Sequence, residues 1–228
     1  MINVSNISFG YKKNELIYKD FNFKFEGRKC YAVIGHNGVG KTTLFRIMLG
    51  LIRIKKGEVI YTSDKKIVKK DIVYIPDFNG FFSGLTVYEN IKFRIMFVGK
   101  KFDNREINQV LSKLKLEQYK NIVVSRLSAG LKKRVGLAAA VISKPKYLIL
   151  DEPTNGLDPK SKEVIFSLLK DLKEKGVTIV FSSHDLEFVY RLADNFVLLN
   201  NGIIAKEGVC ADYNKDEFID EYFKCTEE

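Results

Sequence analysis

The sequence has little of what a disulfide-stabilised, metal-binding or membrane-spanning protein needs. Its three cysteines are odd in number and lack metal-ligand spacing, so we expect reduced thiols in a cytosolic protein. Only two histidines are present, His36 and His184, which excludes a histidine-rich metal site. No apolar run approaches the roughly 20 residues that cross a bilayer, and the N-terminus lacks a signal-peptide pattern. We therefore expect that any work at a membrane is done from its surface.

The chain contains enough apolar residues to form a sizeable core. Hydrophobic residues make up 46% of the 228 positions, which fits one large domain or one domain with a subdomain. The formal net charge is +10, from 38 basic and 28 acidic residues. This charge suits a nucleotide, an anionic membrane surface or a nucleic acid, and does not choose among them. Neither an internal repeat nor a low-complexity linker is visible.

The most informative stretch is Gly35–Thr43, which fits the pattern G-x-x-x-x-G-K-[ST] at every fixed position. The apolar run Tyr31–Ile34 before it predicts a buried strand. A helix is predicted after it from the apolar residues Leu44, Ile47, Met48 and Leu51. A chance glycine-rich turn is the alternative, and this strand-loop-helix context disfavours it.

The residue types in this loop suit a polyphosphate. Glycines let backbone N–H groups approach the anion closely, and the helix that follows directs its N-terminal dipole at the same place. We expect Lys41 to supply a charge for the outer phosphates and the Thr42 hydroxyl to ligate Mg²⁺. The remaining loop contacts are expected from Gly35, His36, Asn37, Gly38, Val39, Gly40 and Thr43.

Periodicity outlines an α/β protein with a helical insertion. Alternating apolar residues predict half-buried antiparallel strands at 2–9 and 21–25. Further strands are predicted at 57–61, 71–76, 147–150, 177–181, 196–199 and 203–205, and helices at 86–98, 104–115, 128–143, 161–175 and 185–193. Three successive helices indicate a small helical subdomain at 77–143, inserted into a core formed by 1–76 and 144–228. The tail, 212–228, is expected to contain a short helix.

Two carboxylates follow the apolar run Leu148–Leu150 directly. Ligands bind at the carboxyl ends of parallel strands, so these side chains are placed to serve a nucleotide. We expect Asp151 to hold Mg²⁺, and Glu152 to orient or deprotonate the attacking water. The alternative is a pair of surface carboxylates that merely ends a strand.

A second candidate phosphate cradle opens the third helix at Ser128–Gly130. Ser128 is also a plausible helix N-cap, which would be a purely structural role. The functional alternative combines a hydroxyl, small residues and a helix N-terminus. If the helical subdomain projects outward, this cradle would serve the nucleotide of another copy of the chain.

Taken in chain order, these motifs resemble an ATP-binding cassette (ABC) ATPase, the nucleotide-binding subunit of ABC transporters. The match covers nearly the whole chain, and the residues that carry it are Tyr11, Gly35–Thr43, Ser128–Gly130, Asp151, Glu152, Asn155–Asp158 and His184.

The resemblance implies roles for single residues. Tyr11 would stack on adenine, and His184 would contact the γ-phosphate. Ser128, Ala129 and Gly130 would form the signature motif that meets the ATP of a partner copy, and Asp158 would lie at the dimer seam. Tyr11 could instead be an ordinary exposed tyrosine, and His184 a helix-start histidine without a ligand.

The resemblance also implies the fold and the partners. The fold would be a P-loop NTPase core of the ABC type, with a mainly parallel sheet, a small antiparallel β-subdomain and the inserted helical subdomain. ATP and Mg²⁺ would be the cofactors. A second copy and a separate polytopic membrane subunit would be the partners, the latter docking at residues 77–90, which include Phe78, Phe81 and Phe82. These phenylalanines could instead belong to the core of the helical subdomain. The protein would be cytoplasmic and peripheral on the inner face of the cell membrane.

Three positions depart from the family pattern. Asp77 stands where the family usually has a glutamine. Its carboxylate would be a further ligand for Mg²⁺ but adds negative charge near the γ-phosphate, so we hypothesise altered Mg²⁺ affinity or altered coupling to the partner. If Asp77→Gln leaves Mg²⁺ dependence and partner-stimulated turnover unchanged, that hypothesis fails. The signature has Ala129 for its usual first glycine and Leu131 for its usual glutamine. Such a signature resembles exporter ATPases more than nutrient importers.

Two other function classes stay open at this point. One is a soluble ABC ATPase without a membrane partner, although translation factors of this kind usually carry two cassettes and this chain has one. The other is a regulatory ATPase associated with nucleic acid, favoured only by the net charge. No nucleic-acid motif is visible, so we expect no specific nucleic-acid partner.

Overall fold

The computed structural model of the protein divides into two compact units. The first consists of Met1–Val68 and Thr178–Glu228, and the second of Lys69–Val177. The structure describes residues 1–12, 15–61, 71–77, 81–97, 99, 101 and 103–226. Within these ranges, no helix combines the length and apolar character that crossing a membrane requires.

Strands and helices follow the predicted order. The strands are β1 Ile2–Phe9, β2 Tyr18–Phe25, β3 Cys30–Ile34, β4 Lys56–Tyr61, β5 Ile72–Ile75, β6 Tyr147–Leu150, β7 Thr178–Ser183, β8 Asn195–Asn200 and β9 Ile203–Val209. The α-helices are α1 Lys41–Met48, α2 Val87–Phe97, α3 Asn104–Lys113, α4 Ala129–Ile142, α5 Pro159–Glu174, α6 Leu186–Leu192 and α7 Lys215–Thr226. Short 3-10 helices span Glu117–Tyr119, Val124–Arg126 and Cys210–Asp212.

In the first unit, β1 pairs with β2 and β4 in a three-stranded antiparallel sheet. Ile2, Val4 and Ile7 are all buried, although Val4 and Ile7 are three residues apart. A register shift between these two residues, with Asn6 at a φ of 52°, adds one residue to the strand. This bulge returns Ile7 to the buried face. The antiparallel strands predicted from alternation are therefore confirmed.

The same unit contains the parallel strands that carry the glycine loop. β3 lies between β7 and β8 and runs parallel to both. Every residue of β3 and β7 is buried, as in strands covered on both faces. β9 returns antiparallel to β8 across Asn201 and Gly202, whose φ angles of 45° and 77° form the predicted two-residue hairpin turn.

Helix α1 ends earlier than its apolar pattern suggests. Gly50 adopts a φ of 65°, and its N–H donates to Ile47 O, while Leu51 N–H donates to Arg46 O. This pair of hydrogen bonds is a Schellman ending, which the helical periodicity does not reveal. Leu51 therefore lies beyond the helix and is 62% exposed, so its predicted place on the helix is wrong.

The C-terminal helix α7 is held by one buried aromatic side chain. Phe218 is 1% exposed and contacts the rings of Tyr190, Phe196 and Tyr213, with centroid separations of 5.9, 5.1 and 6.4 Å. Asn200 adds a hydrogen bond from its amide to Cys225 O. The short helix expected in the tail is present.

The second unit combines two parallel strands, β5 and β6, with four helices. Helix α4 packs against both α2 and α3, and the stripe Ile107, Val110 and Leu111 of α3 is buried. Helix α5 begins at Pro159 after the N-cap Asp158. Pro is favoured at this first helical position because the missing N–H has no intrahelical partner.

The two units do not coincide with the core and subdomain expected from sequence. The helices expected within 77–143 are present, but β5, β6 and α5 belong to the same compact unit as these helices. The division at 77–143 therefore stays a prediction. Phe78 and Gly80 of the predicted docking loop, and Val98 at the end of the predicted second helix, lie outside the described residues.

Candidate active site

The glycine loop Gly35–Thr43 connects β3 to α1, as predicted. Its last glycine, Gly40, is the N-cap of α1 and has a φ of 116°. A Cβ atom there would lie 2.7 Å from Ile17 Cγ2 and 2.8 Å from Tyr18 Oη. Only glycine fits this position, so the backbone reaches the helix N-terminus by a path that leaves the first N–H groups accessible.

The loop lysine is held over the loop itself. Lys41 is 6% exposed, and its Nζ donates to Gly35 O at 2.7 Å and to His36 O at 3.2 Å. These two carbonyl bonds fix the ammonium group inside the turn, next to the N-terminus of α1. Positive charge and helix dipole therefore converge on the place where a phosphate group would bind.

A residue that sequence reasoning missed supports this loop. Tyr18, at the start of β2, is fully buried, and its hydroxyl donates to Gly40 O at 2.8 Å. Burial raises the pKa of Tyr18 well above its ordinary value, so the hydroxyl remains a donor. In the sequence, Tyr18 is an aromatic residue shortly before the alternating stretch 21–25, and this pattern does not indicate the loop as its partner.

Tyr11 lies beside the loop with its ring largely exposed. Its side chain is 59% accessible, and its Oη lies 3.4 Å from Thr43 Oγ1. The ring meets Phe9 edge-on, at 5.1 Å between centroids and 83° between planes. The ring is thus largely exposed next to the loop, as stacking on a base requires. Stacking on adenine stays a prediction.

Strand register brings His184 to the same sheet edge as the glycine loop. Ile34 of β3 is paired with Ser183 of β7 in parallel, so Gly35 and His184 both follow directly at the carboxyl ends of adjacent strands. His184 is exposed, whereas the next residue, Asp185, is the N-cap of α6 and accepts from Phe188 N–H. The helix-capping role therefore belongs to Asp185, and His184 faces outward beside the loop strand.

The paired carboxylates follow β6 in the second unit and are both buried. Asp151 is 4% exposed and Glu152 is 9% exposed, so neither is a surface carboxylate. Asp151 N–H donates to Ile75 O, and Tyr74 Oη donates to Asp151 Oδ2 at 3.4 Å. Glu152 has a φ of 45°, a left-handed conformation that is costly for a residue with a Cβ and is often found at functional sites.

Asp77 emerges at the same edge of the second unit as these carboxylates. β5 and β6 are parallel and pair Ile75 with Leu150, which sets the residues that follow each strand side by side. Asp77 Oδ1 accepts from Lys133 Nζ at 2.9 Å. The same ammonium donates to the backbone oxygens of Glu152 and Asn155. In the sequence, Lys133 directly follows another lysine, Lys132, and this pattern does not predict these contacts.

Ser128 is the N-cap of α4, and its Oγ accepts from Leu131 N–H at 3.4 Å. Ser128 and Ala129 are exposed, whereas a Cβ on Gly130 would lie 3.2 Å from Ser161 Oγ. The structural role of Ser128 is therefore present. The exposed start of the 14-residue helix is also open to a ligand.

Asp158 is linked through Ser161 to α4, the helix that Ser128 caps. Asp158 accepts from Ser161 Oγ at 2.5 Å and from Ser161 N–H at 3.0 Å, and these bonds lower the pKa of the Asp158 carboxyl below its usual range. Arg134 of α4 donates to the same Ser161 Oγ at 2.6 Å. This chain of contacts fixes Asp158 relative to α4.

The predicted site residues thus fall into two groups. The first unit holds the glycine loop, Tyr11 and His184, and the second holds Asp77, Ser128–Gly130, Asp151, Glu152 and Asp158. Among the residues that the structure describes, no group of three or more His, Cys, Asp or Glu side chains forms a metal site. Mg²⁺ usually takes only one or two carboxylates together with substrate phosphates. Asp151 offers one buried carboxylate in the second unit, and Thr42 offers one hydroxyl in the first, so their shared role at Mg²⁺ stays a prediction.

A strand, a glycine loop with a buried lysine, and a helix define a P-loop nucleotide-binding protein. The sequence profile described as ABC transporter matches residues 18–155. The energy-coupling factor transporter ATP-binding protein EcfA of Methanothermobacter thermautotrophicus is 34% identical over 228 residues, covering 95% of this chain and 73% of that protein. The Nod factor export ATP-binding protein I of Rhizobium etli is 31% identical over 233 residues, covering 98% and 71%.

A solved structure is similar over the same range. A dimeric ATP-binding cassette in a post-hydrolysis state, bound to ADP and Pi, gives a TM-score of 0.81 at 27% identity, covering 92% of this chain and 99% of that one. The chain therefore belongs to the ABC transporter family, as an ATP-binding ATPase subunit. The fold class expected from sequence is confirmed.

Proposed function

We propose that this chain hydrolyses ATP at a site shared by two copies and thereby powers transport through a separate membrane subunit. The observation that carries the proposal is the placement of Lys41 and His184. Lys41 is buried inside the loop after β3, and His184 follows the adjacent parallel strand at the same sheet edge. A triphosphate on the loop would meet both side chains.

The reaction is mainly one of positioning and charge stabilisation. The loop N–H groups and Lys41 bind the phosphates, and His184 contacts the γ-phosphate. Glu152 orients the attacking water and accepts its proton. Thr42 and Asp151 are the residues that would hold Mg²⁺, which would offset the phosphate charge when bound. Burial of Glu152 supports this role, because a carboxylate out of bulk solvent holds a fixed geometry.

A second copy completes the site in this proposal. Ser128 and Ala129 open α4 with exposed N–H groups and a positive dipole end, which suits the γ-phosphate of a facing copy. Asp158 is exposed and held by Ser161, as a residue at the seam between copies would need to be. Two ATP molecules would then bridge the two copies, and hydrolysis would remove the bridges.

One residue of the expected docking surface 77–90, Phe82, belongs to a group of exposed aromatic side chains that continues beyond this range. Phe82 and Phe93 contact each other at 4.4 Å between centroids and are 49% and 43% exposed, and Phe97 is 84% exposed. All three line a cavity of about 330 Å³ within the second unit. Phe82 is thus not a core residue of this unit. Aromatic side chains around an open cavity support a protein interface, and we propose that a segment of the membrane subunit binds there.

The same proposal places the chain in the cytoplasm, at the inner face of the cell membrane. We propose export as the direction of transport, on the signature variants Ala129 and Leu131 together with the motif Asn155–Asp158. The two relatives carry names of both kinds, an energy-coupling factor transporter and a Nod factor exporter.

The catalytic part is tested with Glu152→Gln. The variant should bind ATP and form ATP-dependent dimers, and its turnover should fall by about 100-fold or more, because general-base catalysis contributes roughly 10²–10⁴-fold. Glu174→Gln, at the exposed end of α5, is the matched control and should retain full turnover. Full ATPase activity in Glu152→Gln would remove Glu152 from the catalytic role.

The membrane part is tested by recovering tagged Glu152→Gln from detergent-solubilised membranes with ATP and Mg²⁺. A stoichiometric polytopic membrane protein should be recovered. Adding Phe82→Ser and Phe97→Ser should abolish this recovery, whereas Ile203→Ser, which changes an exposed residue on β9, should leave it intact. Recovery of only soluble proteins or nucleic acid would favour a non-transport ABC ATPase instead.

A further inference from the structure

Lys133 makes three hydrogen bonds with one ammonium group. Its Nζ lies 2.9 Å from Asp77 Oδ1, 2.7 Å from Glu152 O and 2.9 Å from Asn155 O. An ammonium group has three N–H donors, so this arrangement uses all of them. The side chain is only 12% exposed, which makes these contacts stronger than those of a solvated surface lysine.

Two of the three acceptors lie at the ends of one tight turn. Asn155 N–H donates to Glu152 O at 3.2 Å, so Glu152–Asn155 closes on itself, and Lys133 bonds the first and the last carbonyl of this turn. Glu152 has a φ of 45° within it. A left-handed residue with a Cβ persists only where its surroundings hold it, and Lys133 supplies two of the bonds that do so.

The third acceptor balances the charge of the lysine. Asp77 and Lys133 form an ion pair at 2.9 Å, in which Asp77 is the more exposed partner, at 43%. Two neutral carbonyls alone would leave a nearly buried ammonium group without a counter-charge, which is costly. Asp77 thus supplies the counter-charge and helps to direct the Lys133 side chain at the turn.

We propose that Lys133 is a positioning residue for hydrolysis: it sets the backbone, and so the carboxylate direction, of Glu152, and Asp77 holds Lys133 in place for this purpose. The inference rests on the proposed catalytic role of Glu152. It gives Asp77 a function that does not involve Mg²⁺, and it explains how an aspartate at this position is compatible with a working site.

The test separates kcat from nucleotide binding. Lys133→Met removes the ammonium group and keeps the chain length. It should lower kcat at least tenfold, while the KM for ATP and the ATP affinity measured by equilibrium binding change less than twofold. Lys132→Met, the adjacent lysine on α4, is the control and should keep kcat within twofold. An unchanged kcat in Lys133→Met, or a parallel loss of ATP affinity, would overturn the proposal.

The ion pair is tested by a double-mutant cycle. Asp77→Asn should lower kcat less than Lys133→Met does. The double variant should resemble Lys133→Met alone, because both residues act through one contact. The Mg²⁺ concentration for half-maximal turnover should change less than twofold in Asp77→Asn. Multiplicative losses of kcat, or a large rise in that Mg²⁺ concentration, would contradict the assigned role of Asp77.

Three further variants keep the proposal decidable. If Lys133→Met is unfolded at the assay temperature, Lys133→Gln takes its place. Lys133→Arg, which retains the charge, should then keep a higher kcat than Lys133→Gln, and equal kcat values near that of the wild type would overturn the proposal. In a Glu152→Gln background, Lys133→Met should cause no further loss of turnover. Failure of Glu152→Gln to slow turnover would reject the catalytic role itself. A slow Glu152→Gln beside a normal Lys133→Met would reject only this inference.

Discussion

Replacing Gly40 with alanine tests whether the path of the glycine loop decides nucleotide binding. The new Cβ would lie 2.7 Å from Ile17 Cγ2 and 2.8 Å from Tyr18 Oη, well inside van der Waals contact. Tyr18 is fully buried and its hydroxyl bonds Gly40 O at 2.8 Å. The added atom therefore meets a fixed ring and displaces the hydrogen bond that holds the loop.

Three costs contribute to the loss of stability. A residue with a Cβ in left-handed conformation costs about 1–2 kcal/mol. Forcing an extra carbon into a packed site costs about 1–3 kcal/mol, and weakening the Tyr18 hydrogen bond costs about 1 kcal/mol. We expect a total of roughly 3–6 kcal/mol, which at about 2–4 °C per kcal/mol lowers the melting temperature by roughly 6–24 °C.

The matched control is Gly50→Ala. Gly50 also has a positive φ, at 65°, but a Cβ there has no heavy atom within 4 Å. Gly50→Ala should lose only the conformational cost of about 1–2 kcal/mol and keep its affinity for ATP. Gly40→Ala should lose ATP affinity at least tenfold, measured by equilibrium binding of a fluorescent nucleotide below its melting temperature. Equal stability and equal affinity in the two variants would refute the steric reasoning.

Two further predictions concern Tyr18 and the end of α1. Tyr18→Phe should cost about 1 kcal/mol near neutral pH, measured by urea unfolding. Because burial raises the pKa of Tyr18 above the ordinary 10.0, its contribution is present below pH 10.0 and is lost as pH rises further, so the variant should lose less stability at alkaline pH than the wild type. Ile47→Ala should cost about 2–5 kcal/mol because Ile47 is 2% exposed. Leu51→Ala should change unfolding free energy by less than about 0.5 kcal/mol, and a larger cost would place Leu51 in the core.

Much of the fold follows from local patterns that the sequence displays directly. β3 and β6 are short apolar runs that are buried throughout. The loop after β3 is recognised from residue types that all suit phosphate binding. The hairpin at Asn201 and Gly202 is likewise a local signal, since both residues tolerate positive φ. These features need no knowledge of distant contacts.

Two features that sequence reasoning missed, the contacts of Lys133 and of Tyr18, depend on residues that are distant in the chain. Lys133 meets Asp77 across 56 positions, and Tyr18 meets Gly40 across 22. A lysine in a charged pair and a tyrosine on a strand have many possible partners, and only tertiary packing selects one. The prediction for Leu51 is wrong for a local reason. Leu51 has the apolar spacing of a helix, but Gly50 ends the helix through its positive φ, which apolar spacing does not reveal.

The central claim is that each ATP lies between the glycine loop of one copy and Ser128 of another. It is tested most directly by mixing two inactive variants, Lys41→Ala and Ser128→Arg. A mixed dimer contains one site with both residues intact, so the mixture should hydrolyse ATP although neither parent does.

The control mixture is Lys41→Ala with Glu152→Gln. Both changes affect the same copy's half of the site, so every site in the mixed dimer is defective and no activity should return. Recovery in the Lys41→Ala and Ser128→Arg mixture alone supports the shared site. An inactive mixture, with mixed dimers shown to form, would contradict it.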